Sequence, residues 1–463
     1  MKPQKNKTIY HLIHSQDMVQ YMWRYTLHMQ ATHIPFSLVF DEELDFSLLV
    51  KAVNLEIARN DCLRLRLFRQ GLKIREYFLD EYRLEKIPLK TFRTRQEQER
   101  VLDADASTKL DVFGGETFRV IFFRAPGGGS GIYLNASHMI MDAMAAFMFF
   151  KDLLAVYDSL KNGTPMPRPL SRYEDIIASE QDNPALEEHL AKEGKILEDW
   201  VVMDRRPVFN AMNGPKVLDR HSRLVHKKDL NMPFVYMPLN DKTHLLKLRL
   251  SREDSAKIDA FVAENRLSPE WVVQLGMRLY LSAINRHAND SLFWVLCPRR
   301  KTVKEKRCGG TLASPMPWRE ILREDKTFRQ TLDQLAQTQA FLFRHSDVPY
   351  LTVRETELRR FHLTLLQSAN SMMFSYLPLD ENTFGGRKYE IAGYNIGYYV
   401  IPVYTLALRD PFEKRYVFSY IHRLWLTTDE EVERFHAGVV RTILAGIENP
   451  EKTLGEIMEE VSC

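Results

Sequence analysis

The chain has little of what marks several large classes of protein. It holds four cysteines in 463 residues, Cys62, Cys297, Cys308 and Cys463. None stands in a C-x-x-C pair, and their spacing gives no zinc pattern. They read as reduced thiols of a cytoplasmic protein, with no disulfides needed to hold the core. Charge of one sign is also missing: 64 basic residues against 61 acidic leave a net +3. A dedicated nucleic-acid binder would show a strong basic excess or stripe, so no nucleic-acid partner is expected. There is no run of about 18 uncharged apolar residues, hence no expected membrane span. The N-terminus, MKPQKNKTIYHLIHSQDM, has no long apolar stretch, so no signal peptide is expected.

The motif vocabulary is equally sparse. No GxxxxGKS or GxxxxGKT occurs, and no GxGxxG opens a helix after a strand, so phosphate-loop and dinucleotide chemistry lack support. There is no HExxH. The nearest thing to a nucleophile elbow, GGGSGI (127–132), lacks its closing glycine and joins strand to strand. With no activated serine or cysteine in view, a hydrolase is disfavoured. His11 and His14 stand three apart near the terminus without an acidic or cysteine partner, which favours a surface or capping role over metal binding.

What is present suits a soluble globular chain of two or three domains: 45% hydrophobic and 27% charged residues over 463 positions. Strand and helix patterns alternate. PFSLVF (35–40) is β-like, with LRLRLF (63–68) as a candidate partner, and 46–61 between them has helical spacing. FRVIFFRA (118–125) and GIYLNAS (131–137), joined by PGGGS, read as a hairpin. A helix follows from about Asp142 to Leu160, with Asn162-Gly163 as its stop. The apolar positions from Ala143 to Phe150 run all round it, so its first half should be buried.

Residues 181–240 read as a connector, with a charged helix at 185–205 and a loop from Met212. They divide an N-terminal lobe, 1–180, from a C-terminal lobe, 241–463. The second half restarts with a strand at 244–250, two helices behind Ser251 and Ser268, and a strand at 291–298. It closes with a last helix at 429–447, while the tyrosine-rich 393–404 reads as a core strand.

One short stretch carries most of the chemical information. NASHMIMDAMAAF places His138 at the end of a strand and Asp142 at the start of a helix, with almost nothing else polar between. A neutral imidazole on a rigid connector takes a proton from a hydroxyl or amine as that group attacks a carbonyl. A carboxylate at a helix N-terminus is favoured by the macrodipole and by free N–H groups. On these residues alone the plain account also stands: a satisfied core histidine followed by an Asp cap.

Ser137-His138-x-x-x-Asp142-Ala143 resembles the HHxxxDG motif of the condensation-domain superfamily, which includes nonribosomal peptide synthetase condensation domains and chloramphenicol acetyltransferase. The resemblance extends along the chain. RNDCLRLRLF (59–68) looks like the family's RHxxLRTxF stretch, and 111–125 resembles the run that precedes the motif strand. CPRRKTVKEKRCGGTLASPMPWRE (297–320) is similar to a later family stretch, and FSYLPLD (374–380) to a strand and loop beside the tunnel.

The resemblance implies an α/β (α+β) fold of two chloramphenicol-acetyltransferase-like lobes in a V with a tunnel between them. It implies His138 as general base or positioning group, with Ser137 beside it in the catalytic motif. Asp142 would be structural, salt-bridged to an arginine for which Arg64 is the matching candidate. Two positions depart from the motif. Ser137 replaces its first histidine, and Ala143 replaces the closing glycine, which would narrow the space beside it. Met144-Ala145-Ala146 lacks the Ser-Trp of the epimerase branch. The strongly basic PRRKTVKEKR (298–307) reads as a solvated loop or as a docking site for an anionic donor, with Arg299 and Arg300 best placed.

Two functions follow as expectations. One is a free-standing condensation-type acyltransferase. It would move an acyl group from acyl-coenzyme A or an acyl carrier protein to an amine or hydroxyl of a small-molecule acceptor, with no metal and no permanently bound cofactor. The other is a catalytically silent relative that binds a carrier or partner as a scaffold and has no need of His138.

Overall fold

The computed structural model describes residues 6–202, 206–214, 234–235 and 241–462. The loop read from Met212 lies mostly outside them, as does Cys463. The chain divides into two compact units. The first is Met1–His189 with Pro298–Ser314 and Asp380–Tyr398; the second is Leu190–Cys297, Pro315–Leu379 and Tyr399–Cys463. This differs from a simple division at a 181–240 connector. The first unit runs on to His189 and takes back two later segments, which ion pairing and strand pairing hold there.

The elements of the N-terminal segment are β1 (Tyr10–His11), α1 (His14–Met22), β2 (His33–Phe40), α2 (Phe46–Arg59), β3 (Leu65–Gln70) and β4 (Lys73–Phe78). Then come β5 (Leu89–Thr91), α3 (Arg95–Ala106), β6 (Phe118–Arg124), β7 (Ser130–Ser137), α4 (Ala143–Asn162), α5 (Tyr173–Glu180) and α6 (Pro184–Val202). The central part holds β8 (Phe234–Val235), β9 (Thr243–Arg249), α7 (Arg252–Asn265), α8 (Pro269–Ile284), β10 (Asp290–Cys297), α9 (Val303–Lys306) and β11 (Ser314–Ile321). Next are α10 (Phe328–Arg344), α11 (Tyr350–Arg360), β12 (Gln367–Ser368), β13 (Asn370–Leu377) and β14 (Tyr389–Gly393). The chain ends with β15 (Val403–Asp410), β16 (Arg415–Arg423), α12 (Asp429–Glu448) and α13 (Leu454–Ser462). The expected mixed α/β class is observed.

The sheet that carries the motif has the order β14-β2-β7-β6-β5. Its centre is the expected hairpin, β6 against β7, with Phe123 opposite Gly131. Every residue of β7 is buried, because helices cover both faces of the sheet. Alternation sorts the side chains. Ile121, Phe123 and Tyr133 pack with Leu102 and Ala106 of α3, and the Tyr133 hydroxyl donates to Asp105 at 2.9 Å. On the opposite face Phe36 meets Phe147 of α4, and Phe122 meets Phe46 of α2. α2 and α4 are tied by a bidentate pair, Arg59 to Asp152, at 2.9 and 3.1 Å. α4 ends at Gly163, whose φ of 65° is left-handed, as the Asn-Gly signal requires.

Three expectations fail here. The partners of β2 are β7 and β14, not 63–68. That segment forms β3, in a separate sheet of order β1-β4-β3; alternation identifies a strand but not its neighbour. The 393–404 run is not one strand. β14 ends at Gly393, and a turn held by Asn395, whose Oδ1 accepts from Gly397 N at 3.0 Å, precedes β15. Finally, α12 is not the last helix, because α13 follows it.

The second unit is built on a sheet of order β11-β10-β13-β15-β16-β9, with β10, β13 and β15 parallel. Its interior contains a bidentate ion pair, Arg319 with Asp290 at 2.6 and 2.8 Å, both side chains essentially fully buried.

Gly131 sits where β7 passes the Phe123 ring, and a Cβ there would lie 2.1 Å from it. Phe123 is fully buried. Gly131→Ala is therefore expected to destabilise the chain by about 1–3 kcal/mol through overpacking, read as a lowered urea midpoint. An unchanged midpoint would show that the ring has room to move.

Candidate active site

The turn from β7 into α4 is built by hydrogen bonds to its main chain. Ser137 N donates to Thr117 O, His138 N donates to Thr32 O, and Ile140 N donates to Ser137 O. The Ser137 hydroxyl is buried and accepts from Met139 N at 3.3 Å. It shapes the turn, which gives Ser137 a structural part in the motif. From outside, the Thr311 hydroxyl donates to His138 O at 2.6 Å. The backbone of His138 is thus fixed on both sides. The residue as a whole is partly exposed, while its Nδ1 is buried and bonds to no other residue. Burial pushes the imidazole pKa down, the field of Asp142 opposes this, and the histidine's own backbone opposes it less. The net direction is downward, so His138 is neutral at pH 7.

Asp142 caps α4. Its Oδ1 accepts from Ala145 N at 2.8 Å. Its Oδ2 accepts from Leu312 N at 2.8 Å and Ala313 N at 2.9 Å. Arg300 grips both oxygens, Nη1 to Oδ2 at 2.8 Å and Nη2 to Oδ1 at 3.1 Å. The two side chains are 5% and 1% exposed, so neither charge is left to water. Burial pushes the Asp142 carboxyl pKa up; Arg300 and the three N–H donors outweigh it and hold it below the ordinary carboxylate range. Arg300 also donates to the carbonyls of Pro298, Cys308 and Gly310. Gly310 is required there, since a Cβ would lie 2.2 Å from the Tyr173 ring.

Arg64 is not the partner of Asp142. Its guanidinium donates to the carbonyls of Ile57, Leu79 and Asp80, and it lines a polar cavity of about 550 Å³ with Lys7, Asp61, Asp80, Arg172 and Glu174. His138 is not among the lining residues. The reason is local: Asp61–Arg64 form a 3₁₀ turn before β3, which turns Arg64 onto its own neighbourhood. Nor is Arg300 placed to hold a donor, because Asp142 and the carbonyls occupy it. Arg299 reaches Ser15 Oγ at 3.0 Å, with its backbone in the left-handed region at φ 50°. Ala143 is the first residue of α4 and partly exposed. Sequence reasoning missed Thr311, Leu312 and Ala313, which act through a hydroxyl and main-chain N–H groups. The glycine pair before them, Gly309-Gly310, was the one available signal.

The model of the family described as Condensation domain matches residues 6–193. A plipastatin synthase polypeptide of Bacillus subtilis (strain 168) is 22% identical over 402 residues, covering 84% of this chain and 14% of that protein. The chain thus spans about a seventh of the length of that curated relative. Among solved structures, the starter condensation domain of rhizomide synthetase RzmA, in complex with C8-CoA, superposes with a TM-score of 0.80 at 14% identity, covering 97% of both chains. The first condensation domain of the calcium-dependent antibiotic synthetase, with a substrate analogue, gives 0.79 at 15% identity over 97% of this chain and 99% of that one. The condensation domain of the monacolin K polyketide synthase MokA gives 0.78 at 15% identity, over 96% and 99%.

This chain has the fold of a condensation domain. The resemblance to that superfamily read from the motif is thereby upheld, and His138 and Asp142 stand on the matched portion of the chain.

Removing one partner of a buried ion pair leaves the other uncompensated, so Asp142→Asn is expected to cost about 3–5 kcal/mol. A double-mutant cycle of Asp142→Asn with Arg300→Met should show coupling of about 1–3 kcal/mol, whereas Asp142→Asn with Arg64→Met should be additive to within about 0.5 kcal/mol. Denaturant unfolding of the set measures both. The Asp142 contribution has a defined pH window. Its folded pKa lies below the unfolded value of about 3.9, so the stabilisation is complete above that pH. It is lost as pH falls through the folded pKa.

Proposed function

We propose that the chain is a condensation-type acyltransferase that moves an acyl group from a thioester to an amine or hydroxyl acceptor. The observation that carries this reading is His138: a neutral imidazole at a strand end whose backbone is pinned by Thr32 and Thr311. Its Nδ1 is buried and bonds to no other residue; its hydrogen bond is to its own backbone, which suits a proton on that nitrogen.

The reaction needs one proton moved twice. With a proton on Nδ1, the Nε2 lone pair accepts the proton of the acceptor N–H or O–H as that atom bonds to the thioester carbonyl carbon. The tetrahedral oxyanion then collapses, the C–S bond breaks, and the thiolate takes the proton from the imidazolium. His138 ends neutral, and the products are an amide or ester and a free thiol. Asp142 takes no proton. Its charge is matched by Arg300, and its role is to hold the turn that aims His138.

The donor is coenzyme A or the phosphopantetheine arm of a carrier protein. The RzmA relative is in complex with C8-CoA, which supports the first. The match to a plipastatin synthase supports the second, with a carrier protein as partner. Of the two arginines expected to hold an anionic donor, Arg299 alone stays in the proposal. A small-molecule amine or hydroxyl acceptor and a cytoplasmic setting complete the reading.

Free-thiol release from acyl-coenzyme A and acyl-carrier thioesters, with and without amine and alcohol acceptors, tests this. His138→Ala should lower acceptor-dependent release by about 10²- to 10⁴-fold. Equal rates in both proteins would return His138 to a structural role, and no release from either would favour a silent, carrier-binding protein. The pH profile is a separate check. Because the imidazole pKa is lowered, kcat/KM should stay level down to the ordinary histidine pKa of about 6.5 and fall only below it, as His138 takes up a proton. An acid limb centred above that value would contradict the assignment.

A further inference from the structure

The second unit brings together three residues that the sequence keeps far apart. His244 on β9 and His422 on β16 are opposite each other in register, so their side chains leave the same face of the sheet. Asp429 opens α12, directly after the Thr428 cap. One oxygen of Asp429, Oδ1, lies 2.9 Å from His244 Nδ1 and 2.9 Å from His422 Nε2. The ligand atoms of all three residues lie within 4.8 Å of one another. On its other side, His422 Nδ1 lies 3.2 Å from the backbone oxygen of Thr427.

The protons do not suffice for this arrangement. His422 stands between two oxygens that only accept, and a neutral imidazole has one N–H. A proton on Nδ1 serves Thr427 but turns the Nε2 lone pair onto an anionic oxygen. A proton on Nε2 turns the Nδ1 lone pair onto a carbonyl. A metal ion removes the conflict. It takes the lone pairs of His422 Nε2, His244 Nδ1 and Asp429 Oδ1, and leaves the His422 Nδ1–H to Thr427. That outer hydrogen bond to a carbonyl is the usual companion of a metal-ligating histidine.

We propose that His244, His422 and Asp429 bind one divalent transition-metal ion, Zn²⁺ foremost, with a fourth position open to water. Two imidazoles and one carboxylate suit Zn²⁺ and its neighbours in the first row, not the all-oxygen preference of Mg²⁺ or Ca²⁺. A tetrahedral site with bonds of about 2.0–2.1 Å sets its ligand atoms about 3.3 Å apart, a few tenths of an ångström wider than the two 2.9 Å separations. The side chains of His244 and Asp429 are 43% and 40% exposed, which gives an ion access from solvent. Bound there, it clamps the edge strand β9, its neighbour β16 and the start of α12. The site does not rest on the acyl-transfer reading.

The test uses the whole chain without a polyhistidine tag, freed of metal by chelator and titrated with ZnCl₂ by calorimetry. Thermal unfolding is followed at each concentration. The expected result is uptake of one Zn²⁺ per chain and a Tm that rises with free Zn²⁺. His244→Ala, at an exposed position, and Asp429→Asn should leave the metal-free Tm near wild type and weaken uptake at least tenfold. No saturable uptake by the wild type overturns the proposal. Uptake unchanged in both variants overturns it equally.

Discussion

Everything near His138 depends on the carboxylate of Asp142. It is a buried charge, and a buried charge persists only when its lone pairs are filled. Here they are filled by the start of its own helix, by two successive main-chain N–H groups at 312 and 313, and by a bidentate arginine. Arg300 is 158 residues away in sequence, and its own remaining donors hold the loop from Pro298 to Gly310. The same loop supplies the Thr311 hydroxyl that fixes the His138 carbonyl. One ion pair therefore ties a strand end, a helix start and a distant loop into a single support for the imidazole.

Burial acts on both titratable groups of the motif in the direction that disfavours charge, yet they finish on opposite sides of ionisation. Asp142 stays charged because its partners outweigh burial. His138 stays neutral because burial outweighs what reaches it of the Asp142 field. Arg300 is foremost among the partners that keep Asp142 charged. Two groups in one turn thereby finish in different states, one as a charged scaffold and one as a neutral imidazole.

The sequence disclosed what local signals govern. PGGGS between two β-rich runs specified the hairpin, and Asn162-Gly163 specified the end of α4, because each depends on backbone conformations that few residues allow. The position of His138 at a strand end followed from those two. Partners were less legible. Arg64 and Arg300 are both arginines in stretches that resemble family motifs; only the 3₁₀ turn at 61–64, invisible to alternation, sends Arg64 to nearby carbonyls. The main-chain donors at 312 and 313 have no residue-type signature at all. His244, His422 and Asp429 offered no metal spacing, since strand register brings the first two together.

The first unit is discontinuous, and this orders events during synthesis. When residues 1–189 have left the ribosome, α4 already carries Asp142, but the guanidinium that neutralises it is still more than a hundred residues from being made. β2 likewise has β7 on one side and waits for β14 to cover its other edge. The nascent half-unit thus holds an uncompensated carboxylate and an open strand edge, the two features that most invite non-native pairing. Completion of the unit requires closing chain segments of long sequence separation, which places it among slow-folding topologies. A fragment ending near residue 193, where the family match ends, would carry His138 and Asp142 without Arg300, Thr311 and the N–H groups of 312 and 313.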